Sequence, residues 1–276
     1  MLIKKAKSYG FCFGVKRAVE MAESSKGAVT LGPLIHNPLE IKRLDNEYNV
    51  KFVESIDNID KDIKKVIVRT HGIPKDDLNK LKEKEVEIID ATCPFVKKPQ
   101  EIVEEMSKKG YDIVIFGDKN HPEIKGVISY STHKRVFVIL DKKELFNVKL
   151  KEKIATVAQT TRKVENYLDI VNYLIKNYKE VIVFNTICNA TFENQKAVRD
   201  LAKEVDIMII IGGRNSSNTK QLYNIAKEYS DTYLVENEKE LNKEWFLKKR
   251  LCGISAGAST PEWLVGNIIS KIKEMV

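Results

Sequence analysis

The chain has 276 residues, of which 43% are hydrophobic and 31% are charged, a composition that fits a globular protein of about two domains with a large core. Its four cysteines are too few for a disulfide framework, and its longest apolar runs, residues 136–140 and 207–211, fall far short of the ~20 residues of a membrane helix. The net charge of +8 is spread among acidic residues, without the basic block typical of nucleic-acid binding, so we expect a cytoplasmic protein that binds neither nucleic acid nor membrane.

The first third of the chain alternates segments typical of strands and helices. A helix is predicted over residues 15–22, where apolar side chains recur at i, i+3, i+4 and i+7. Strands are indicated at residues 2–3, 29–32 and 66–68, and another begins at residue 87 and ends just before Cys93.

The middle and C-terminal thirds repeat one order of elements: strand, polar loop, helix, strand, charged turn, and a strand that ends in a polar loop. A second helix is predicted from the apolar stripe over residues 164–175. Unbroken apolar runs such as residues 207–211 are typical of strands covered on both faces of a parallel sheet. Strands are predicted at residues 113–116, 136–140, 154–158, 207–211, 232–235 and 252–255, and another begins at residue 181 and ends just before Cys188.

This repeat predicts an α/β fold of three pseudo-repeated α/β units, with mostly parallel sheets arranged around a central cluster. The predicted units are residues 13–93, 94–188 and 189–276. The N-terminal segment, residues 1–12, is expected to complete the third unit by supplying a strand.

Three cysteines follow predicted strands at equivalent places in the repeat. Cys12, Cys93 and Cys188 each stand where a helix is about to start, whereas Cys252 lies inside a strand and is predicted to pack in the core. A helix N-terminus favours the thiolate form, and three convergent thiolates suit zinc, copper(I) or an iron–sulfur cluster. The alternative is that they are three separate buried cysteines that pack as small apolar residues.

Three of the four histidines also follow predicted strands, at the strand ends where parallel α/β sheets bind ligands. These are His36, His71 and His121, while His133 lies in a predicted surface turn. The third unit has hydroxyl and amide groups instead, from Ser216, Ser217, Asn218 and Ser259. Such groups beside helix N-terminal N–H groups suit a phosphate or a diphosphate.

Helix capping is an alternative role for some of these polar residues. Asn120 with Glu123, and Asn218 with Gln221, have the spacing of a capping box, and Thr260 precedes a proline at a predicted helix start. The sequence leaves open whether Glu123, Asn218 and Thr260 cap helices or face a ligand.

Eight short motifs are distributed in order along the whole chain. They are GFCFGV (10–15), LIHN (34–37), THG (70–72), DATCP (90–94), HPE (121–123), QTT (159–161), NSSN (215–218) and AGAS (256–259). Together they resemble the 4-hydroxy-3-methylbut-2-enyl diphosphate reductase family, which performs the last step of the methylerythritol phosphate route to isoprenoids.

The resemblance implies that Cys12, Cys93 and Cys188 hold one 4Fe-4S cluster per chain, with one iron open to the substrate. It implies catalytic roles for Glu123 and Thr160 beside the reacting carbon skeleton. Two electrons and two protons would remove the substrate hydroxyl as water and give isopentenyl or dimethylallyl diphosphate. The residues that the resemblance assigns to the diphosphate are His36, His71, His121, Ser216, Ser217, Asn218 and Ser259.

An external electron donor is also implied, for which the family suggests a ferredoxin or a flavodoxin. The positive net charge favours such an acidic partner protein. Two other functions stay open from the residues alone. One is a zinc-dependent hydrolase of a phosphorylated small molecule, with water as the fourth zinc ligand, and the other is a phosphate-binding protein without catalysis.

Overall fold

A computed structural model describes all 276 residues, which form twelve strands and nine α-helices. The strands are β1 (Leu2–Lys5), β2 (Val29–Leu31), β3 (Lys51–Val53), β4 (Lys65–Val68), β5 (Glu87–Asp90), β6 (Asp112–Phe116), β7 (Val136–Ile139), β8 (Lys153–Ala158), β9 (Glu180–Val183), β10 (Ile207–Ile211), β11 (Asp231–Val235) and β12 (Leu251–Ala256). The helices are α1 (Phe13–Glu23), α2 (Pro38–Tyr48), α3 (Lys75–Lys82), α4 (Pro94–Lys108), α5 (Pro122–Ser129), α6 (Val164–Asn177), α7 (Asn189–Ala202), α8 (Ser217–Lys227) and α9 (Glu262–Met275). No helix has both the length and the apolar character that crossing a membrane requires.

The strands form three four-stranded sheets in which every pairing is parallel, with the orders β3-β2-β4-β5, β7-β6-β8-β9 and β11-β10-β12-β1. β1 pairs with β12, with Leu2 opposite Leu251. If β1 is counted as the fourth strand of its sheet, all three sheets have the strand order 2-1-3-4. The predicted α/β fold with three repeated parallel sheets is confirmed.

The shared strand order places a topological switch point between the first and third strands of each sheet. Parallel α/β sheets bind ligands in the crevice at this point, outside the carboxyl ends of the strands. The pairs of strands that flank the switch points are β2 with β4, β6 with β8, and β10 with β12.

The chain divides into two compact units. The C-terminal unit consists of Met1–Lys16, Ile35–Arg43 and Asn189–Val276, and it contains the sheet of β1, β12, β10 and β11. The central unit consists of Arg17–Leu34 and Leu44–Cys188, and it contains the other two sheets. This division into two units does not test the boundaries of the three predicted units, which stay a prediction.

Helices cover both faces of the sheet in the C-terminal unit. Ile207, Ile209 and Ile211 of β10 pack in one cluster with Leu264 and other residues of α9. The alternating residues, Met208 and Ile210, pack in a second cluster with residues of α7 and α8 such as Val198 and Leu222. Because side chains alternate between the faces of a strand, burial on both sides explains the unbroken apolar run of β10.

The central unit follows the same rule around β6. Val114 and Phe116 pack with Tyr167 and other residues of α6, while Ile113 and Ile115 pack with residues of α4 and α5. The predicted strand at residues 136–140 is one residue too long, because β7 ends at Ile139. The short edge strand β3 was not predicted.

Candidate active site

Three cysteines have the same backbone environment, each beyond the fourth strand of a different sheet. Each directly precedes a helix, and its N–H donates a hydrogen bond to the carbonyl two residues beyond the end of the neighbouring third strand. The three bonds run from Cys12 to Ala258 at 3.2 Å, from Cys93 to Thr70 at 3.0 Å and from Cys188 to Thr160 at 3.0 Å. The repeat therefore extends from the strand order to the hydrogen bonds that fix the cysteines.

The side chains of these cysteines differ from that of the fourth. Cys12, Cys93 and Cys188 form no disulfide and are partly exposed, and each directly precedes the first residue of a helix. Cys252 is fully buried among the apolar residues of β12, as predicted, and burial raises the pKa of its thiol to about 12. Partly exposed thiols have the ligand chemistry of an iron–sulfur or other soft metal centre, whereas the buried Cys252 is not placed for such a role.

The second switch point holds a buried carboxyl group. Glu123, in the first turn of α5, is 1% exposed. Its Oε1 accepts a hydrogen bond from the Thr160 N–H at 2.8 Å, and its Oε2 accepts one from the Thr160 hydroxyl at 2.7 Å. Burial raises the pKa of Glu123 from 4.5 to about 6, although the Thr160 hydrogen bonds and the charge of Arg162 act in the opposite direction.

These contacts show whether Glu123 caps its own helix, one of the two roles that the sequence left open. The carboxyl group bonds to a residue 37 positions away and not to the amides of its own helix, so the capping-box interpretation is wrong. The residue at the helix N-cap is His121, whose Nδ1 accepts the Glu123 N–H at 3.2 Å. In the neutral imidazole this acceptor role places the ring hydrogen on Nε2.

His71 lies beside His121 in the central unit. The two ring centroids are 5.5 Å apart, and the rings meet edge to face. His71 directly follows Thr70, the residue whose carbonyl accepts the hydrogen bond from Cys93. The structure therefore brings together five of the predicted site residues at the strand ends of the central unit: His71, His121, Glu123, Thr160 and, through its backbone, Cys188.

The C-terminal unit places another set of predicted residues at its switch point. Ser216 is the N-cap of α8, and its Oγ accepts the Thr219 N–H at 3.3 Å. Asn218 is 4% exposed, and neither its Oδ1 nor its Nδ2 has a hydrogen-bond partner. The capping interpretation of Asn218 is therefore wrong. A buried amide without partners at a ligand-binding strand end is suited to a polar ligand.

The loop after β12 lies on the other side of this switch point. Ser259 is partly exposed there, between Ala258 and Thr260. The Thr260 hydroxyl donates a hydrogen bond to the Ile211 carbonyl at 3.0 Å, at the end of β10. Thr260 thus joins the two loops and does not cap α9, whose N-cap is Pro261.

His36 belongs to the C-terminal unit, although β2 and β3 on either side of it belong to a sheet of the central unit. Its carbonyl oxygen lies against Gly213, where an added Cβ would approach it to 2.6 Å. The next residue, Asn37, caps α2 through its Oδ1, which accepts the N–H groups of Leu39 and Glu40 at 3.1 and 3.2 Å. Asn37 was not among the predicted site residues, although Asn-Pro-x-Glu has the spacing of a capped helix start.

His133, the fourth histidine, has a local structural role. Its Nδ1 accepts the Arg135 N–H at 3.2 Å within a bend before β7, which agrees with the predicted turn.

Comparison with protein families identifies the chain. The model of the family described as LytB protein matches residues 3–273. The chain belongs to the LytB family. This LytB chain is 78% identical over 275 residues to the 4-hydroxy-3-methylbut-2-enyl diphosphate reductase of Nautilia profundicola, with 100% of both chains covered. It is 64% identical over 276 residues to the protein of that name from Nitratiruptor sp., covering 100% of this chain and 99% of the relative.

Solved structures of similar proteins match the LytB chain along its length. One is a structure of (E)-4-hydroxy-3-methyl-but-2-enyl diphosphate reductase, the terminal enzyme of the non-mevalonate pathway. It has a TM-score of 0.72 and 42% identity, and the match covers 99% of this chain and 100% of that one. The reductase of Plasmodium falciparum matches with a TM-score of 0.91 and 26% identity, over 98% of this chain and 87% of that one. These similarities confirm the family resemblance predicted from the motifs.

Proposed function

We propose that this LytB chain reduces 4-hydroxy-3-methylbut-2-enyl diphosphate to isopentenyl diphosphate and dimethylallyl diphosphate. Full-length relatives with 78% and 64% identity have the name of that reductase. The observation that supports the chemistry best is the repeated hydrogen bond that fixes Cys12, Cys93 and Cys188 at equivalent strand ends. The overall reaction takes up two electrons and two protons, breaks the C–O bond of the substrate hydroxyl and releases water.

The proposed ligands of the metal centre are Cys12, Cys93 and Cys188, holding one 4Fe-4S cluster per chain. When bound, such a cluster would deliver electrons and offer one open iron site to the substrate hydroxyl. The three proposed repeats, residues 13–93, 94–188 and 189–276 with 1–12, would each contribute one of these cysteines.

The proposed diphosphate ligands combine charge neutralisation with hydrogen bonding. His121 Nδ1 accepts a backbone N–H, which places the ring hydrogen of the neutral imidazole on Nε2, the atom that we expect to donate to a phosphate oxygen. Asn218 offers an amide that has no partner within the protein. The complete proposed set is His36, His71, His121, Ser216, Ser217, Asn218 and Ser259.

Glu123 and Thr160 are the proposed catalytic pair for proton transfer. A carboxyl group with a pKa of about 6 holds its proton far more readily than an ordinary glutamic acid near neutral pH. The Thr160 hydroxyl, 2.7 Å from Glu123 Oε2, can pass that proton on towards the substrate. Loss of the hydroxyl as water and protonation of the carbon skeleton both need such a donor.

The proposed electron donor is an acidic protein of the ferredoxin or flavodoxin type. The net charge of +8 supports this choice, since opposite charges accelerate encounter between proteins. The cytoplasmic location expected from the sequence stays a prediction.

Metal analysis of anaerobically purified protein tests this proposal. We expect a brown protein with about four iron and four sulfide per chain, as a 4Fe-4S cluster requires. One zinc per chain would favour the hydrolase, to which the comparisons give no support. A colourless protein without metal that still binds diphosphate would favour a binding protein.

A further inference from the structure

The segment that contains His36 is anchored in the C-terminal unit by more than its backbone. Leu39 packs against the apolar cluster formed by β10, β12 and α9. The His36 carbonyl lies on Gly213, in the loop that follows β10 and leads to Ser216. The segment Ile35–Arg43 therefore brings the His36 backbone to the loop that leads to Ser216 and the first turn of α8.

One buried carboxylate joins this segment to α9. Glu40 is 1% exposed, and its Oε2 accepts a hydrogen bond from the indole Nε1–H of Trp263 at 3.0 Å. Arg43 binds the same carboxylate through Nε at 3.0 Å and through Nη2 at 2.6 Å. Trp263 is the only one of these donors that comes from outside α2.

The connection from Glu40 to His36 is short and rigid. The Glu40 N–H bonds to Asn37 Oδ1 at 3.2 Å, and the Ile41 N–H bonds to the Asn37 carbonyl at 3.1 Å. Asn37 is the residue directly after His36. A shift of the first turn of α2 relative to α9 would therefore move the His36 imidazole.

We propose that the Trp263–Glu40 hydrogen bond positions His36 for binding the substrate diphosphate. Trp263 and Glu40 are positioning residues, because they act through α2 and do not touch the ligand themselves. This inference rests on the proposed function, since it takes the ligand of His36 to be a diphosphate. Without the indole donor, the first turn of α2 keeps its apolar contact through Leu39 but loses its polar tie to α9.

The test uses Trp263→Phe, which removes the indole N–H and keeps an aromatic ring. The chain provides a matched control in Trp245→Phe, because Trp245 is the other tryptophan and lies in the same unit. Its ring stacks on that of Tyr233, with the ring centroids 3.9 Å apart. Binding of inorganic diphosphate to the holoenzyme is measured by titration calorimetry. The apparent KM and kcat for 4-hydroxy-3-methylbut-2-enyl diphosphate are measured beside it.

We expect Trp263→Phe to weaken diphosphate binding and to raise KM by about 10-fold, in line with the loss of a hydrogen bond to a charged group, while kcat stays within about twofold. Trp245→Phe should bind like the wild type. In a His36→Asn background, the substitution at Trp263 should have no further effect, because the residue through which it acts is already gone.

Two results would overturn the inference alone: normal binding by Trp263→Phe, or an equal loss in the presence and absence of His36. The second pattern is also the one that general misfolding would give. Failure of the wild-type holoenzyme to bind diphosphate would instead contradict the proposed function, and the inference with it.

Discussion

Replacing Glu123 with Gln tests the proposed proton transfer while leaving the shape of the site almost unchanged. The amide oxygen of glutamine can still accept the Thr160 N–H, which now bonds to Glu123 Oε1 at 2.8 Å. The variant cannot release a proton as a carboxylic acid does. The substitution therefore removes the acidic proton while it keeps the hydrogen bond to the Thr160 backbone.

The expected pH dependence of turnover follows from the raised pKa of Glu123. With a pKa of about 6, roughly a tenth of the carboxyl groups are protonated at pH 7, and the fraction falls about tenfold for each further pH unit. Turnover of the wild type should therefore fall above pH 6 along this limb. Removing a general acid typically costs about 10²–10⁴-fold in rate, so we expect a loss in that range for Glu123→Gln.

The same shift predicts a pH-dependent stability. The pKa is raised on folding from 4.5 to about 6, so the neutral carboxyl group contributes about 2 kcal/mol that is present below pH 4.5 and lost as pH rises through 6. The Glu123→Gln variant has no such titration. Its stability relative to the wild type should improve by about 2 kcal/mol between pH 4 and pH 7.

The assay is the anaerobic pH–rate profile of both proteins with a small chemical reductant, at matched iron content. Thr160→Ser is the control, because it keeps the hydroxyl and the N–H that contact Glu123 and should stay within about tenfold of the wild type. Turnover by Glu123→Gln at the wild-type rate, or an unchanged descending limb near pH 6, would refute the proton-transfer role.

Three further predictions concern the metal centre, the diphosphate and the electron donor. Serine at Cys12, Cys93 or Cys188 should abolish iron retention and turnover, whereas Cys252→Ser should keep both; equal losses in all four, measured as iron per chain, would contradict the ligand assignment. Asn218→Ala should raise KM by about 10-fold and leave the melting temperature nearly unchanged, because the amide makes no hydrogen bond in the fold; a large loss of melting temperature with normal KM would give it a structural role. Turnover with an acidic protein donor should fall as salt rises, while turnover with a small reductant falls much less; a flat salt dependence would remove the role given to the net charge.

The sequence predicted most of the sheets because their strands are buried on both faces. Residues 207–211 were predicted with the observed limits of β10, and all five of these residues are fully buried. β3 has the opposite character: it has three residues, and Lys51 and Phe52 are exposed at the edge of the sheet. A strand this short and this exposed has no hydrophobic pattern from which the sequence could predict it.

Local patterns could not settle the polar residues of the site, because their partners are distant in sequence. Glu123 has the spacing of a capping box, yet its partner is Thr160, 37 residues away. Thr260 precedes a helix start, yet it bonds to Ile211, 49 residues away. No local pattern distinguishes Glu40 from other helix residues, and its partner Trp263 is 223 residues away. The cysteines and histidines were easier to find, because the repeat places them at strand ends.

The most direct test of the central claim is product analysis after anaerobic incubation of the iron-loaded protein with 4-hydroxy-3-methylbut-2-enyl diphosphate and a chemical reductant. We predict catalytic formation of isopentenyl diphosphate and dimethylallyl diphosphate, with two electrons consumed per molecule of product, and no product from Cys188→Ser. Release of inorganic phosphate or diphosphate without reductant, or no conversion by protein that contains its full complement of iron, would contradict the account.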